Sequence, residues 1–227
     1  MKRGLNNNQL KLIAMITMTM DHMGMMLFPE QLWLRIIGRL AFPIYAYMIA
    51  EGCTHTRSMG RYLGSLGIMA LVCQIAYTFA VGSYVQSIFV TFSMSVALVW
   101  LIKWAGKRGL FPKILAGIGV FAAFFITHIL PVLLPETDFR VEYDFIGVIL
   151  PVAIWMCRRR WQKLTVCALL LALMSSYMWQ GQWFGLLAVP VLALYDGSRG
   201  KLPLKWVFYF YYPAHLLLLE GIAWLTI

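Results

Sequence analysis

Residues 12–28 read LIAMITMTMDHMGMMLF, and residues 34–50 read LRIIGRLAFPIYAYMIA. The turn Pro29-Glu30-Gln31 separates the two runs, and each run is almost wholly apolar. A helix needs about 20 apolar residues to cross the hydrocarbon core of a bilayer, and in lipid it satisfies its own backbone hydrogen bonds. The two runs therefore predict a hairpin of membrane-spanning helices.

The composition of the whole chain favours the same class of protein. The chain has 227 residues, of which 61% are hydrophobic and 12% are charged. A soluble domain carries roughly 25% charged residues, so this chain has too little polar surface to cover a water-soluble globule. We expect an all-α, polytopic transmembrane helical bundle that forms a single domain over residues 1–227 and has the lipid bilayer as its surroundings.

Apolar runs between polar breaks predict about nine spans. They lie at approximately residues 12–28, 34–50, 62–81, 86–102, 114–134, 145–157, 164–179, 183–195 and 206–224. The sixth and eighth runs are the weakest, and the alternative for either is a re-entrant or interfacial segment. The predicted count is therefore eight to ten spans.

The formal net charge of +10 has two readings, nucleic-acid binding or membrane topology. With the N-terminus in the cytoplasm, sixteen of the 19 Lys and Arg residues fall in cytoplasmic segments. They are Lys2, Arg3, Lys11, Arg57, Arg61, Lys103, Lys107, Arg108, Lys113, Arg158, Arg159, Arg160, Lys163, Arg199, Lys201 and Lys205. Cytoplasmic loops of membrane proteins are enriched in Lys and Arg. The distribution predicts an N-terminus inside, a C-terminus outside and no nucleic-acid partner.

Ionisable residues inside spans are candidates for function, because inserting each one costs roughly 2.5 to 3.5 kcal/mol. Asp21 and Arg39 lie nine residues before and nine residues after Glu30. At 1.5 Å per residue, both lie about 13 Å from the turn and at the same depth. This spacing predicts an ion pair between Asp21 and Arg39. The pair either holds the two helices together or places Arg39 where it stabilises the anion formed in a reaction.

Three histidines are also expected inside spans. His22 follows Asp21 directly, about 100° around the helix, so it points towards another helix. His128 and His215 lie at a similar predicted depth, so all three could line one cavity. The alternative is that each histidine makes a hydrogen bond between helices. The four cysteines form no CxxC pair and show no metal-ligand spacing, so no metal site is predicted.

A second polar group lies at the predicted cytoplasmic end of the second span. Glu51 and His55 are four residues apart, and Arg57 and Arg61 follow. This group is a candidate site for a negatively charged cofactor, because Arg binds phosphate well. A solvated helix end with topology-setting charges is the alternative.

Several of these residues belong to motifs by which the chain resembles the TraX family. The motifs are LKLIAMI at 10–16, DHMG at 21–24, RIIGRLAFPI at 35–44, EG at 51–52, HTR at 55–57 and KWVFYFYYPAHL at 205–216. The namesake of that family is a conjugation-associated protein of the bacterial inner membrane, required for N-acetylation of the amino terminus of processed pilin.

The resemblance implies a multi-pass inner-membrane acetyltransferase that uses acetyl-CoA and acts on an amine, with the N-terminus of a pilin-like protein as one acceptor. His22 and His215 are then candidate general bases, because imidazole has a suitable pKa. Arg39 is a candidate for stabilising the oxyanion. Glu51, His55, Arg57 and Arg61 are candidate contacts to the cofactor. The competing functions are a small transporter or channel and a non-catalytic membrane assembly factor.

Overall fold

The computed structural model describes residues 4–81, 83–106, 108–200 and 205–226. Of the basic residues used to predict the topology, Lys2, Arg3, Lys107, Lys201 and the side chain of Lys205 lie outside the described residues. The described chain is mainly helical, which confirms the predicted all-α class.

The chain forms two compact units. The first unit comprises Met1–Met48 and Arg159–Ile227, and the second comprises Ile49–Arg158. The single transmembrane domain inferred from the sequence stays a prediction.

The first unit begins with a helical hairpin. Helix α1 spans Asn7–Met26, and Asn6 caps it in a reciprocal pair of hydrogen bonds with Gln9, at 3.0 and 2.9 Å. Helix α2 spans Leu32–Gly38 and packs against α1. Side chains at the N-cap satisfy backbone N–H groups that the helix itself leaves unpaired.

Two glycines allow the backbones of α1 and α2 to approach closely. A Cβ atom on Gly38 would lie 2.3 Å from the Cβ of Asp21, and one on Gly24 would lie 2.8 Å from the Cβ of Leu34. Real Cβ atoms are not found so close to other atoms, so a side chain at either position would push the helices apart. Small residues at such contacts are typical of helix pairs in membranes.

The second predicted span is divided into two helices. Helix α2 ends at Gly38, and helix α3 spans Ala41–His55. Pro43 has no N–H group and cannot bond to the carbonyl of Arg39, which explains the break before it. The first part of α3 belongs to the first unit, and residues from Ile49 onwards belong to the second.

The rest of the first unit comprises α9 (Arg160–Tyr177), a 3₁₀ helix (Gln180–Leu187), α10 (Ala188–Ala193) and α11 (Lys205–Thr226). The sequence predicts the eighth span as one run over residues 183–195. The structure instead places residues 180–187 in 3₁₀ geometry. Two glycines in this segment weaken the preference for α-helix.

The second unit contains α4 (Met59–Val81), α5 (Ile88–Ala105), α6 (Leu110–Phe124), α7 (Leu130–Leu133) and α8 (Asp144–Met156). A π-helical turn, Phe125–Ile129, joins α6 to α7 just before Pro131, which cannot donate the regular backbone hydrogen bond. Two short strands, β1 (Val85–Gln86) and β2 (Arg140–Val141), pair in parallel and were not predicted.

A carboxylate in the loop before β2 reinforces this strand pair. Asp138 accepts hydrogen bonds from the hydroxyl of Ser83 and from the backbone N–H of Tyr84. The hydrogen bond from Ser83, followed by that from Tyr84, holds the pKa of Asp138 below its usual value, because both favour the ionised carboxylate.

Within the described ranges, three helical stretches are long and apolar enough to cross a membrane: Leu32–His55, Ile88–Ala105 and Leu110–Leu133. Two shorter apolar helices, Met59–Ile75 and Asp144–Met156, accompany them. These stretches have the length and composition of membrane helices. The count of nine spans stays a prediction.

The close contact between α1 and α2 leads to a stability prediction. We expect Gly38→Ala to destabilise the protein by about 1–3 kcal/mol, because the added methyl overlaps Asp21. Gly67→Ala in α4 is the matched control, because no described atom lies within 4 Å of a Cβ at that position. Thermal unfolding of both variants in detergent measures the difference. Equal midpoints would contradict the proposed glycine contact.

Candidate functional site

The first unit holds a cluster of three charged side chains on the α1–α2 hairpin. Arg39 donates a hydrogen bond from Nη2 to Oδ2 of Asp21, and Nε of Arg35 lies 3.4 Å from Oδ1 of the same carboxylate. Asp21 and Arg39 thus form the pairing expected from their equal distances to the turn. Two guanidinium groups share one carboxylate, so the cluster carries one positive charge in excess.

The segment that follows α9 supports the two arginines from another side. Nη1 of Arg39 donates a 3.2 Å hydrogen bond to Oε1 of Gln182. The ring of Trp179 lies 5.9 Å from the guanidinium carbon of Arg35 and 6.0 Å from that of Arg39, within the range of cation–π attraction. Arg39 therefore contacts a carboxylate, an amide and an aromatic ring.

The sequence pattern did not indicate three members of this cluster. Arg35 lies at the start of the second predicted span, and Gln182 lies between the seventh and eighth spans. Trp179 lies at the end of the seventh predicted span. The sequence does carry one signal for Gln182. It is a polar residue close to glycines in an apolar region, and a buried amide needs hydrogen-bond partners.

Two histidines meet between α1 and α11. Nδ1 of His22 lies 2.8 Å from Nε2 of His215, and Nδ1 of His215 lies 2.9 Å from the backbone oxygen of Tyr211. A carbonyl oxygen only accepts, so Nδ1 of His215 carries the proton. In the neutral pair, Nε2 of His215 then accepts from Nδ1 of His22. Nε2 of His22 is left with its lone pair.

Aromatic side chains of α11 surround the histidine pair. Tyr211 stacks on His215 with ring centres 5.1 Å apart, and the ring of Tyr212 meets both histidines edge-on. The hydroxyl groups of Thr19 and Tyr211 are 2.6 Å apart, which adds a further contact between α1 and α11. His22 also directly follows Asp21 of the charged cluster in α1. The histidine pair and the charged cluster therefore belong to one polar site.

The third histidine has a different partner. His128 belongs to the second unit, where its Nδ1 lies 3.0 Å from Oδ2 of Asp144. Its ring stacks on Phe124, and 57% of its side chain is exposed. The structure brings His22 and His215 together, and it pairs His128 with Asp144.

The four candidate cofactor contacts all lie in the second unit. Oε2 of Glu51 lies 3.4 Å from Nε2 of His55, and the His55 side chain is 70% exposed. Arg57 lies in the connection after α3 and Arg61 in the first turns of α4, and both are exposed. The structure groups these residues locally, and their contact with a cofactor stays a prediction.

Loss of the shared carboxylate is expected to destabilise the protein. We predict that Asp21→Asn lowers stability by about 3–5 kcal/mol, because two buried or half-buried guanidinium groups then lack a counter-charge. Glu30→Gln is the control, since it removes an exposed carboxylate from the adjacent turn. The abundance of folded protein in isolated membranes measures the effect. Wild-type abundance of Asp21→Asn would contradict a stabilising role for the ion pair.

Comparison with known proteins places this site in a family context. The chain is 24% identical over 238 residues to the probable fimbrial assembly protein FimC, serogroup H1, of Dichelobacter nodosus, with 93% of each chain covered. It is 50% identical over 38 residues to an uncharacterized protein of Rickettsia prowazekii (strain Madrid E), covering 17% of this chain and 15% of the other. No solved structure matches the chain.

The family model described as TraX protein matches residues 6–223. The matched region begins at the N-cap of α1 and reaches the last turns of α11, so it includes the charged cluster and the histidine pair. The resemblance noted in the motifs of the hairpin and of the last helix is thereby confirmed. The chain belongs to the TraX family.

Proposed function

We propose that the protein is a membrane-embedded acetyltransferase that moves an acetyl group from acetyl-CoA to an amine. The observation that carries the proposal is the His22–His215 hydrogen bond beside a cluster with excess positive charge. Acyl transfer needs a base for the attacking amine and positive charge for the oxyanion that forms. The polar site of the first unit offers both.

The tautomers of the two histidines indicate which of them is the base. Nε2 of His22 has the available lone pair, while His215 accepts from Nδ1 of His22 and holds that ring in one tautomer. His22 is the proposed catalytic base. His215 positions it, and Tyr211 positions His215 through its backbone oxygen.

The proposed reaction is balanced without a further reagent. The amine nitrogen attacks the thioester carbon and loses a proton to Nε2 of His22. The negative charge that develops on the carbonyl oxygen is stabilised by the excess positive charge near Arg39. The carbon–sulfur bond then breaks, and the thiolate of CoA takes the proton from His22. The products are an amide and free CoA.

The cofactor contacts form a separate part of the proposal. Acetyl-CoA is a cytoplasmic anion, and Arg57 and Arg61 are exposed cations beside the Glu51–His55 pair. Arginine binds phosphate in bidentate geometry, so these two side chains are the proposed contacts to the phosphates of CoA.

The acceptor is proposed from the relatives. A relative that aligns with 93% of this chain carries the name of a probable fimbrial assembly protein. Fimbriae are built from pilin subunits, so the N-terminal amine of a pilin-like membrane protein is the proposed acceptor. The same name favours a second candidate, a non-catalytic assembly factor. Such a factor would need the ion pair but would not need the lone pair on His22.

We also propose nine spans in the inner membrane, with the N-terminus inside and the C-terminus outside. Contacts within each unit support this arrangement. Lys103 donates to the carbonyl of Cys53 in the second unit, and Leu5 pairs with Tyr195 in the first. Each contact joins two segments that the charge distribution assigns to the cytoplasm. Similarly, the Ser83–Asp138 hydrogen bond joins two segments assigned to the outside.

The catalytic assignment predicts the effects of two histidine substitutions. His22→Ala is expected to lower the rate of transfer by about 10²–10⁴, the usual contribution of a general base. His215→Ala is expected to cause a smaller loss, because the base remains but its tautomer is no longer fixed. His128→Ala is the control. Membranes containing each variant, incubated with labelled acetyl-CoA, give the rate of labelling of the acceptor.

Both histidine variants should be inserted at normal abundance, because each removes a neutral hydrogen-bonding group. Normal labelling in His22→Ala would refute the assignment of the base. Labelling absent from wild-type membranes that contain a pilin-like acceptor would instead favour the assembly factor.

The topology predicts where fused reporters will be active. A green fluorescent protein fused after Arg108 should fluoresce, because that loop is expected in the cytoplasm. Alkaline phosphatase fused after Asp138 should be active, because that loop is expected outside. Exchanging the two reporters provides the control. The reverse pattern would contradict the proposed orientation.

A further inference from the structure

A hydroxyl contact and an imidazole contact join the same faces of α1 and α11. Thr19 and His22 are three residues apart in α1, and Tyr211 and His215 are four residues apart in α11. Residues at these spacings lie on one face of a helix. The hydroxyl contact and the imidazole contact are therefore successive rungs between the two helices. Two rungs fix the rotation of one helix against the other as well as their separation.

The hydroxyl contact has a fixed direction. Oγ1 of Thr19 donates a 2.9 Å hydrogen bond to the backbone oxygen of Met15, because a carbonyl oxygen only accepts. That bond uses the single proton of the threonine hydroxyl. The hydroxyl of Tyr211, 2.6 Å away, must therefore donate to Oγ1 of Thr19. Tyr211 is thus tied through Thr19 to the backbone of α1.

Tyr211 in turn contacts His215 in two ways. Its backbone oxygen lies 2.9 Å from Nδ1 of His215, and its ring stacks on the imidazole with centres 5.1 Å apart and planes 11° from parallel. The first contact places the proton on Nδ1, and the second sets the plane of the imidazole. The hydrogen bond to Thr19 anchors the far end of the tyrosine side chain, so it holds the tyrosine ring over the imidazole.

We propose that Thr19 and the hydroxyl of Tyr211 are positioning residues for the histidine pair. Their hydrogen bond holds the tyrosine ring over His215, so that Nε2 of His215 stays 2.8 Å from Nδ1 of His22. Both residues act through His215 and not on the substrate. The effect on transfer rests on the proposed acetyltransferase activity, whereas the effect on the two imidazoles does not.

A contact that only stabilised the helix pair would have a different consequence. Its loss would lower the midpoint of thermal unfolding, but the tautomers of the imidazoles and the kcat of the folded protein would not change. Loss of a positioning contact changes both in protein that stays folded, because a displacement of about 1 Å at a reacting group can cost about 10²-fold in rate.

The first test measures the imidazoles directly, by ¹⁵N NMR of histidine-labelled protein in detergent. In the wild type, both rings of the pair should carry the proton on Nδ1, and the His22→Ala and His215→Ala variants assign the signals. Thr19→Val and Tyr211→Phe each remove one hydroxyl. The shifts of His22 should then average between its two tautomers, because its Nδ1 no longer faces a fixed acceptor. Thr19→Ser keeps the hydroxyl and should keep the wild-type shifts.

Thr17→Val is the matched control in the same helix. The hydroxyl of Thr17 lies 3.0 and 3.2 Å from two backbone oxygens of α1 itself. Its side chain is buried, whereas that of Thr19 is half-buried. The control thus removes an equivalent hydroxyl from an even more buried position without breaking the contact to α11, and it should leave the shifts of His22 unchanged.

The second test measures transfer from acetyl-CoA. Thr19→Val and Tyr211→Phe should each lower kcat by up to about 10² with KM nearly unchanged. Because both substitutions break the same hydrogen bond, the double variant should lose no more than either single variant. Losses that multiply in the double variant would mean that the two hydroxyls act separately, and they would overturn the proposal.

Three further outcomes separate the proposal from folding and from the proposed function. Wild-type shifts of His22 in both variants would overturn the positioning role. Failure of both variants to accumulate, with normal accumulation of Thr17→Val, would assign the contact to folding and would also overturn that role. Absence of transfer by the wild type would contradict the acetyltransferase, and the shifts of His22 would still decide whether the hydroxyl contact positions the histidines.

Discussion

The described structure of the first unit depends on one carboxylate shared by two guanidinium groups. Asp21 pairs with Arg39 and Arg35 across the α1–α2 hairpin, at a contact that lacks a Cβ on Gly38. Charged groups in a low-dielectric medium must be paired, because the cost of desolvating each one is several kcal/mol. The absence of a side chain on Gly38 permits this pairing, and the pairing in turn fixes the register of the hairpin.

The structural and functional readings of this cluster are therefore compatible. One carboxylate cannot neutralise two arginines, so the same contact that stabilises the hairpin retains a positive charge. Asp21 holds Nη2 of Arg39, and Gln182 accepts from Nη1. Both partners hold the guanidinium group of Arg39 in one orientation.

Local patterns predicted much of the fold, and long-range contacts explain what they missed. Apolar runs located the helices to within a few residues, and equal distances from Glu30 brought Asp21 and Arg39 together. The interruption before Pro43 and the 3₁₀ segment around Gly181 were missed, because apolar composition does not distinguish helix types. Gln182 was missed because its partner lies 143 positions away, and no local period reports such a contact.

The two faces of α1 show how a helix can hold a histidine pair beside charged groups. His22 follows Asp21, but a turn of about 100° directs it to α11, where its partner is another neutral imidazole. Had the carboxylate faced His22, it would have favoured a charged imidazolium, which has no free lone pair. Because Asp21 pairs with the arginines, the two histidines pair with each other. Paired charges on one face and neutral hydrogen bonds on the other both lower the cost of burying these polar groups among apolar helices.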